Sequence, residues 1–200
     1  MPSIFIYNDI DRKEKPISKF PDIYDRINST GVYLDYKDYK INKYAPGTAV
    51  LQTPFFLTAY FLTKSEGQNI DIYNDNFQKS IFFSAVFYLF LSLVFLRKLL
   101  ELSDIKRTVI VIIQLLIIFS TSIIHYTNYD PGFSHVYSFF AITSFMYFVK
   151  AYFVNRREKY LLLSFLLLGL IFLIRNINIL IILFVPFLSG SSKDLADTLE

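Results

Sequence analysis

The chain contains no cysteine and only two histidines among its 200 residues. The absence of cysteine excludes disulfides and thiol chemistry, and two histidines without a cysteine argue against a zinc site. The few glycines are scattered, and none opens a GxGxxG phosphate-binding pattern. Because no long tract of lysine or arginine is present and the formal net charge is only +3, nucleic acid is not an expected partner.

Apolar sequence is abundant by contrast. Hydrophobic residues make up 54% of the chain, which includes 22 phenylalanines and 15 tyrosines, and long apolar runs recur between positions 46 and 188. A bilayer core about 30 Å thick needs about 20 helical residues for each crossing. We therefore predict an all-α, polytopic integral membrane protein with about five or six hydrophobic helices, in contact with membrane lipids.

The apolar runs divide the chain into a polar outer loop with interfacial helices and turns (1–45), a transmembrane helical domain (46–190) and a polar tail (191–200). The first run contains Pro54 and is the least apolar, so it either crosses the membrane or lies in its interface. The last two runs, broken at Arg175–Asn178, form either one long bent helix or two partial crossings. The predicted apolar segments are Thr48–Thr63, Ser80–Leu96, Thr108–Ile124, Gly132–Val154, Tyr160–Ile174 and Ile177–Leu188.

The distribution of basic residues predicts the topology. Lysine and arginine concentrate in the loops 97–107 and 155–159, which are separated by two predicted spans and therefore lie on one side. The positive-inside rule places that side in the cytoplasm. Residues 126–131 and Arg175 then face outward, whereas the side of residues 1–45 stays open. Lys150, near the end of its apolar run, is expected to reach toward the membrane surface.

The stretch Tyr126–Phe140 is the main candidate for a functional site. It carries Asp130 and His135 between two apolar runs, and His125 immediately precedes it. Ionisable residues at the mouth of membrane helices are costly to keep and therefore indicate function. The alternative is a polar interfacial turn, because Asp-Pro-Gly is common turn chemistry.

Three segments carry a family resemblance: Lys43-Tyr44-Ala45-Pro46-Gly47-Thr48-Ala49 with Pro54-Phe55-Phe56, then Asn128-Tyr129-Asp130-Pro131-Gly132-Phe133-Ser134-His135-Val136-Tyr137-Ser138-Phe139-Phe140, then Gly169-Leu170 with Ile174-Arg175-Asn176-Ile177-Asn178. Together they resemble bacterial membrane glycosyltransferases of the GT-C class, which are similar to the protein O-mannosyltransferases and the lipid A aminoarabinose transferases. The resemblance covers residues 1–190, and it favours the interfacial interpretation of Thr48–Thr63.

This resemblance implies a multi-helix enzyme of the bacterial inner membrane. It implies transfer of a sugar from a polyprenyl-phosphate-linked donor to an acceptor on the outer face. Asp130 occupies the place of an acidic residue that the family carries at the outer mouth. An inverting transfer needs a carboxylate to take the acceptor proton and cations to hold the leaving phosphate. The expected catalytic residues are therefore Asp130 and His135, and the expected substrate-binding residues are Lys43, Tyr44, Arg175 and Asn178.

Arg175 and Lys43 also have structural interpretations. Arg175 offers the forked donors that suit a phosphate, but an arginine at a helix end also reaches toward the interface. Lys43 is a second phosphate contact as a point charge, or a solvated surface lysine. A divalent metal held by Asp130, His135 and Asp9 or Asp11 is left open, because nothing in the spacing requires one.

The sequence departs from the family at both ends. The family opens with a membrane helix and a loop that holds a catalytic aspartate, and neither is present here, so Asp9 and Asp11 are the fallback candidates for that carboxylate. The sequence also lacks the family's later helices, which predicts a fragment that binds the lipid weakly and transfers no sugar by itself. The remaining alternatives are a non-catalytic membrane scaffold and part of a transporter, although the internal repeats typical of transporters are not visible.

Overall fold

The computed structural model describes the backbone of residues 33–36 and 39–42, and describes residues 45–68, 70 and 74–189 in full. Within these ranges the chain is predominantly helical, which confirms the all-α prediction apart from one short hairpin. The elements in chain order are strands β1 (Tyr33–Tyr36) and β2 (Tyr39–Asn42), helices α1 (Gly47–Ser65), α2 (Asp75–Glu101), α3 (Arg107–Ser120), α4 (Ile123–Asn128), α5 (Ser134–Asn155) and α6 (Glu158–Ile174), the 3₁₀ segment Asn176–Phe184, and α7 (Val185–Ser189).

The chain forms two compact units, and the first ends at Ser80, inside α2. This boundary differs from the change in sequence character at residue 45. The predicted tail, residues 191–200, lies outside the described residues.

The hairpin is antiparallel, with Tyr33 opposite Asn42 and Tyr36 opposite Tyr39. The sequence predicts short helices and turns in this region, and the structure differs. The physical reason lies in composition, because tyrosine and isoleucine favour the pleated, half-buried environment of a strand.

In the first unit, α1 packs against the first turns of α2. The rings of Phe56 and Phe77 lie 5.1 Å apart, and both are buried together with Ala59. Asn74 caps α2 by accepting a hydrogen bond of 2.9 Å from the backbone N–H of Asn76, which satisfies a donor left unpaired at a helix start. The predicted segment Thr48–Thr63 is thus most of a single helix.

In the second unit, aromatic rings join α2 to α5. Tyr88 lies 5.6 Å from Tyr137 and, further along both helices, Phe95 lies 5.5 Å from Tyr147, so the two helices run in the same direction. The side-chain amide of Gln114 donates to the carbonyl of Leu93 at 2.8 Å and thereby ties α3 to α2. Because α2 and α5 run in the same direction, both basic loops lie at one end of this unit.

The predicted segment Thr108–Ile124 is broken in the structure. Helix α3 stops at Ser120 and α4 begins at Ile123. The Thr121 hydroxyl donates to the carbonyl of Ile117 at 2.6 Å and accepts from the N–H of Ile123 at 3.3 Å. Hydroxyl side chains compete in this way with the backbone ladder, which explains why the uninterrupted helix expected from hydropathy is not formed.

The predicted break near Arg175 is confirmed. Helix α6 ends at Ile174, Arg175 is extended, and a nine-residue 3₁₀ segment follows. The 3₁₀ segment and α7 each contact α5: the Asn178 amide donates to the hydroxyl of Ser138 at 3.0 Å, and the Lys150 ammonium on α5 donates to the carbonyl of Leu188 in α7 at 3.2 Å. Lys150 therefore holds the end of α7, a contact that the sequence did not indicate.

Two helices among the described residues, α2 and α5, are long and apolar enough to cross a membrane. Helix α3 and the stretch from Asn176 to Ser189 are apolar but shorter. The coarse prediction of apolar, membrane-type helices is thus supported. The finer count of five or six spans is not confirmed, because only two of the described helices reach the length and apolarity of a crossing and the break after Ser120 shortens a third.

Candidate functional site

The candidate site lies where α4, the turn 129–133, the first turns of α5 and the end of α6 meet. We call the group His125, Tyr126, Tyr129, Asp130, His135 and Arg175 the histidine cluster. The whole cluster belongs to the second compact unit. Its members come from an eleven-residue stretch around the Asp-Pro-Gly turn, plus one arginine that follows α6.

A buried tyrosine fixes the turn. Tyr137 has no exposed surface, and its hydroxyl donates to the carbonyl of Pro131 at 3.0 Å. The same hydroxyl shares a hydrogen bond of 2.7 Å with Ser84 of α2, which is also fully buried. Since buried polar groups are stable only when hydrogen-bonded, this pair holds the Asp-Pro-Gly turn against the helices.

Asp130 is paired with His125. The Nε2 atom of His125 lies 3.1 Å from Oδ2 of Asp130, with the two side chains 55% and 43% exposed. The imidazole of His125 also stacks on the ring of Tyr129 at a centroid distance of 5.3 Å. This arrangement leaves the carboxylate at the surface, oriented by a neighbouring imidazole.

His135 is the centre of the cluster. Its ring stacks on Tyr126 at a centroid distance of 3.8 Å, and Ser138, one turn further along the same helix, accepts a hydrogen bond from Asn178, three residues after Arg175. Arg175 itself is exposed. No acidic side chain in the described ranges forms a salt bridge with this arginine, so its charge is not neutralised there.

Asn178 has a structural contact. Its amide donates to Ser138, which lies three residues after His135 on α5. The asparagine therefore stands beside the cluster and links the 3₁₀ segment to it. Its second amide N–H and its carbonyl oxygen remain for a ligand.

The structure thus brings several of the predicted site residues together and leaves others undescribed. Asn178, three residues after Arg175, is hydrogen-bonded to Ser138, three residues after His135. Asp130 is joined to His135 through His125 and Tyr126. The other four predicted residues lie outside the described residues: Asp9, Asp11, Lys43 and Tyr44.

No protein-family model, curated protein or solved structure matches this chain. The candidate site therefore rests on its geometry and on the sequence pattern.

In the part of the chain that the structure describes, no group of three or more histidine, cysteine, aspartate or glutamate side chains could hold a metal ion. Asp130 is hydrogen-bonded to His125, and His135 is stacked on Tyr126; Asp9 and Asp11, the other donors left open for a metal, lie outside the described residues.

Sequence reasoning missed Tyr137, Ser84 and Tyr126. Tyr137 and Ser84 are separated by 53 positions, and no local pattern relates them. Each of the two apolar runs carries a hydroxyl-bearing residue, and this is the signal that could have suggested the contact. Polar side chains on neighbouring membrane helices form hydrogen bonds with one another.

Proposed function

We propose that this chain is part of a polytopic membrane glycosyltransferase that holds a polyprenyl-phosphate-linked sugar at the histidine cluster. The observation that carries the proposal is the hydrogen bond from Asn178 to Ser138, which brings the segment that follows Arg175 to the first turns of α5, the end of the helices that also bears His135 and Asp130. A cationic fork, an imidazole and a surface carboxylate are the groups needed to bind a phosphate and to activate a hydroxyl. The resemblance of the sequence to the GT-C class supports the same function.

The surface of α2 supports a location in the membrane. Only 28% of the most apolar 18-residue stretch of α2 is buried within the protein. Phe83, Phe87 and Phe90 are all exposed. Soluble monomers rarely expose so continuous an apolar surface. In the proposed arrangement lipid chains cover this face, and the shorter apolar helices pack within the bilayer as further spans or partial crossings. We place the protein in a bacterial inner membrane, as the family resemblance implies.

Arg175 is the proposed phosphate ligand. It interrupts an apolar sequence, its backbone is extended with φ −153° and ψ 117°, and 3₁₀ structure follows it. Irregular backbone at membrane depth is tolerated where it borders protein or a polar cavity. A phosphate placed between Arg175 and His135 would offset the unneutralised positive charge of the arginine.

Asp130 is the proposed base. In an inverting transfer the carboxylate takes the proton of the acceptor hydroxyl while that oxygen bonds to C1 of the sugar. The bond between C1 and the phosphate oxygen breaks, and the lipid phosphate leaves with the electron pair, held by Arg175. His125, bonded to Asp130, keeps the carboxylate oriented.

The binding half of the proposal is tested with the 200-residue chain in lipid nanodiscs. We expect a polyprenyl phosphate to bind more tightly than the polyprenol of equal length. Arg175→Gln should reduce that preference about ten- to a hundredfold, because a hydrogen bond to a charged group contributes about 1.5–3 kcal/mol. Arg107→Gln, at the other end of the unit, is the matched control and should leave the preference unchanged. Equal binding of the alcohol and the phosphate would favour a non-catalytic scaffold.

The catalytic half is tested by Asp130→Asn in native membranes that transfer sugar. The rate should fall about 10²–10⁴-fold, the usual contribution of a base, while binding of polyprenyl phosphate persists. Undiminished transfer by this variant would show that another carboxylate is the base and that the Asp-Pro-Gly segment is only a structural turn.

A further inference from the structure

The end of α5 opposite the histidine cluster carries two lysines over aromatic rings. The ammonium of Lys98, near the end of α2, lies 5.8 Å from the ring centroid of Tyr147 on α5. The ammonium of Lys159, in the first turn of α6, lies 5.2 Å from the ring centroid of Tyr160. Both lysines are exposed. A cation over an aromatic face is held in place without being neutralised.

The two lysines border one aromatic surface. Phe148 lies 5.0 Å from Tyr147 and 6.2 Å from Tyr160, so the rings join α5 to α6 without a gap. Cations from α2 and α6 therefore converge on the same group of rings, which we call the basic aromatic site: Lys98, Tyr147, Phe148, Lys159 and Tyr160.

Two tyrosine hydroxyls of the site form no hydrogen bond within the described residues. Among the described residues, neither the hydroxyl of Tyr147 nor that of Tyr160 has a hydrogen-bond partner, although both rings are partly buried. A tyrosine with its ring packed and its hydroxyl at the surface is typical of a membrane interface. Each hydroxyl can donate a hydrogen bond, as each ammonium does, so an incoming anion meets several donors.

Neighbouring acids do not neutralise these lysines. Glu101, the nearest acid in sequence to Lys98, accepts a hydrogen bond of 2.7 Å from Arg97. No described carboxylate forms a salt bridge with Lys98 or Lys159. The site therefore combines uncompensated positive charge, donor hydroxyls and an apolar ring surface.

We propose that the basic aromatic site binds the headgroup of an anionic phospholipid. The anionic headgroup lies over the row of rings between Lys98 and Lys159, whose ammonium groups attract it from either side, and the upper part of the acyl chains lies against Phe148. Basic pockets between membrane helices bind lipid headgroups in this manner.

The site is separate from the histidine cluster. Tyr147 follows His135 by twelve residues on α5, a distance of about 18 Å along a helix. Lipid binding here does not depend on sugar transfer at the other end, so either proposal can fail alone.

The test compares nanodiscs that contain phosphatidylglycerol with nanodiscs of phosphatidylcholine, and native mass spectrometry counts the lipids retained by the full chain. We expect retention of phosphatidylglycerol in preference to phosphatidylcholine. The double variant Lys98→Gln/Lys159→Gln should bind phosphatidylglycerol about thirtyfold more weakly, given the usual contribution of a basic residue near an anionic surface.

Lys106→Gln is the matched control, because it removes one exposed charge from the same basic end without touching the rings, and it should retain most of the binding. Tyr147→Phe/Tyr160→Phe keeps the rings and removes only the hydroxyls, so it tests the site even if the lysine variant is unstable. This variant should also lose affinity. Equal retention by all variants would show that these side chains do not bind the lipid. The same loss per charge removed in Lys106→Gln and in the double lysine variant would show that binding follows overall charge. Either result would overturn the proposal, as would equal retention of the two lipids. Displacement of phosphatidylglycerol by inorganic phosphate alone would show that the site binds a soluble anion and would overturn the proposal of a lipid ligand.

Discussion

The two ends of α5 differ in how their polar groups are satisfied. At the histidine cluster, polar side chains are paired within the protein: His125 with Asp130, Tyr137 with Pro131 and Ser84, and Asn178 with Ser138. At the basic aromatic site, the lysines lie over rings and the tyrosine hydroxyls have no partner among the described residues.

This difference separates a pre-organised site from an open one. Groups oriented by hydrogen bonds to the protein suit a reaction that needs fixed geometry. Groups held only by ring contacts suit a ligand that supplies the missing acceptors, such as a lipid headgroup. Arg175 is the exception at the first end, since it is exposed and unpaired among the described residues, and it is therefore the group most in need of an anion there.

The largest effect expected from this comparison concerns topology. Reporter fusions after Leu102 and Arg157 should both read cytoplasmic, and a fusion at Asn128 should read external, because basic loops are retained in the cytoplasm. Paired phosphatase and fluorescent-protein reporters measure the outcome as nearly all-or-none signals. An external reading at Arg157 would place the two basic loops on opposite sides of the membrane and would contradict the proposed arrangement of spans.

The second effect concerns Tyr137. Replacing it with alanine removes a fully buried ring and both hydrogen bonds, and should lower the free energy of unfolding by about 3–5 kcal/mol. Tyr137→Phe keeps the ring and should cost only about 0.5–1.5 kcal/mol. Reversible unfolding in detergent micelles measures both. Equal losses for the two variants would mean that the hydroxyl, and not the packing of the ring, dominates at this end.

The smallest effect concerns the pair His125 and Asp130. Because both side chains are about half exposed, a double-mutant cycle with His125→Ala and Asp130→Ala should give a coupling below about 1 kcal/mol. The same cycle in transfer assays should show a larger coupling if His125 orients the base. A coupling of several kcal/mol in stability would instead indicate that the pair is a structural contact and not part of a site.

Much of the helical architecture could be predicted from the sequence. Uninterrupted apolar runs predicted α2 and α5 within a few residues, because an apolar sequence of that length forms a helix that satisfies its own backbone. The break at Arg175 followed from a charge inside an apolar run. The break after Ser120 was not predicted, since Thr121 acts through hydrogen bonds to Ile117 and Ile123 that hydropathy does not measure.

The candidate site was only partly predictable. Asp130 and His135 stood out as ionisable residues between apolar runs, but the sequence suggested that they act together, whereas the structure pairs Asp130 with His125 and stacks His135 on Tyr126. Partners within a short polar stretch cannot be assigned from spacing, because the turn 129–133 decides which side chains meet.

By itself the sequence determined the helical, apolar character of the chain, the segregation of its basic loops and the presence of an Asp-Pro-Gly turn between apolar helices. These follow from composition and from short-range order, which each segment carries alone. Only the tertiary structure decided that Asn178 bonds to Ser138 on α5, that Tyr137 fixes the turn through Ser84, and that Lys98 and Lys159 border one aromatic surface. Each of these contacts joins residues far apart in the chain, and it depends on how α2, α5 and α6 pack.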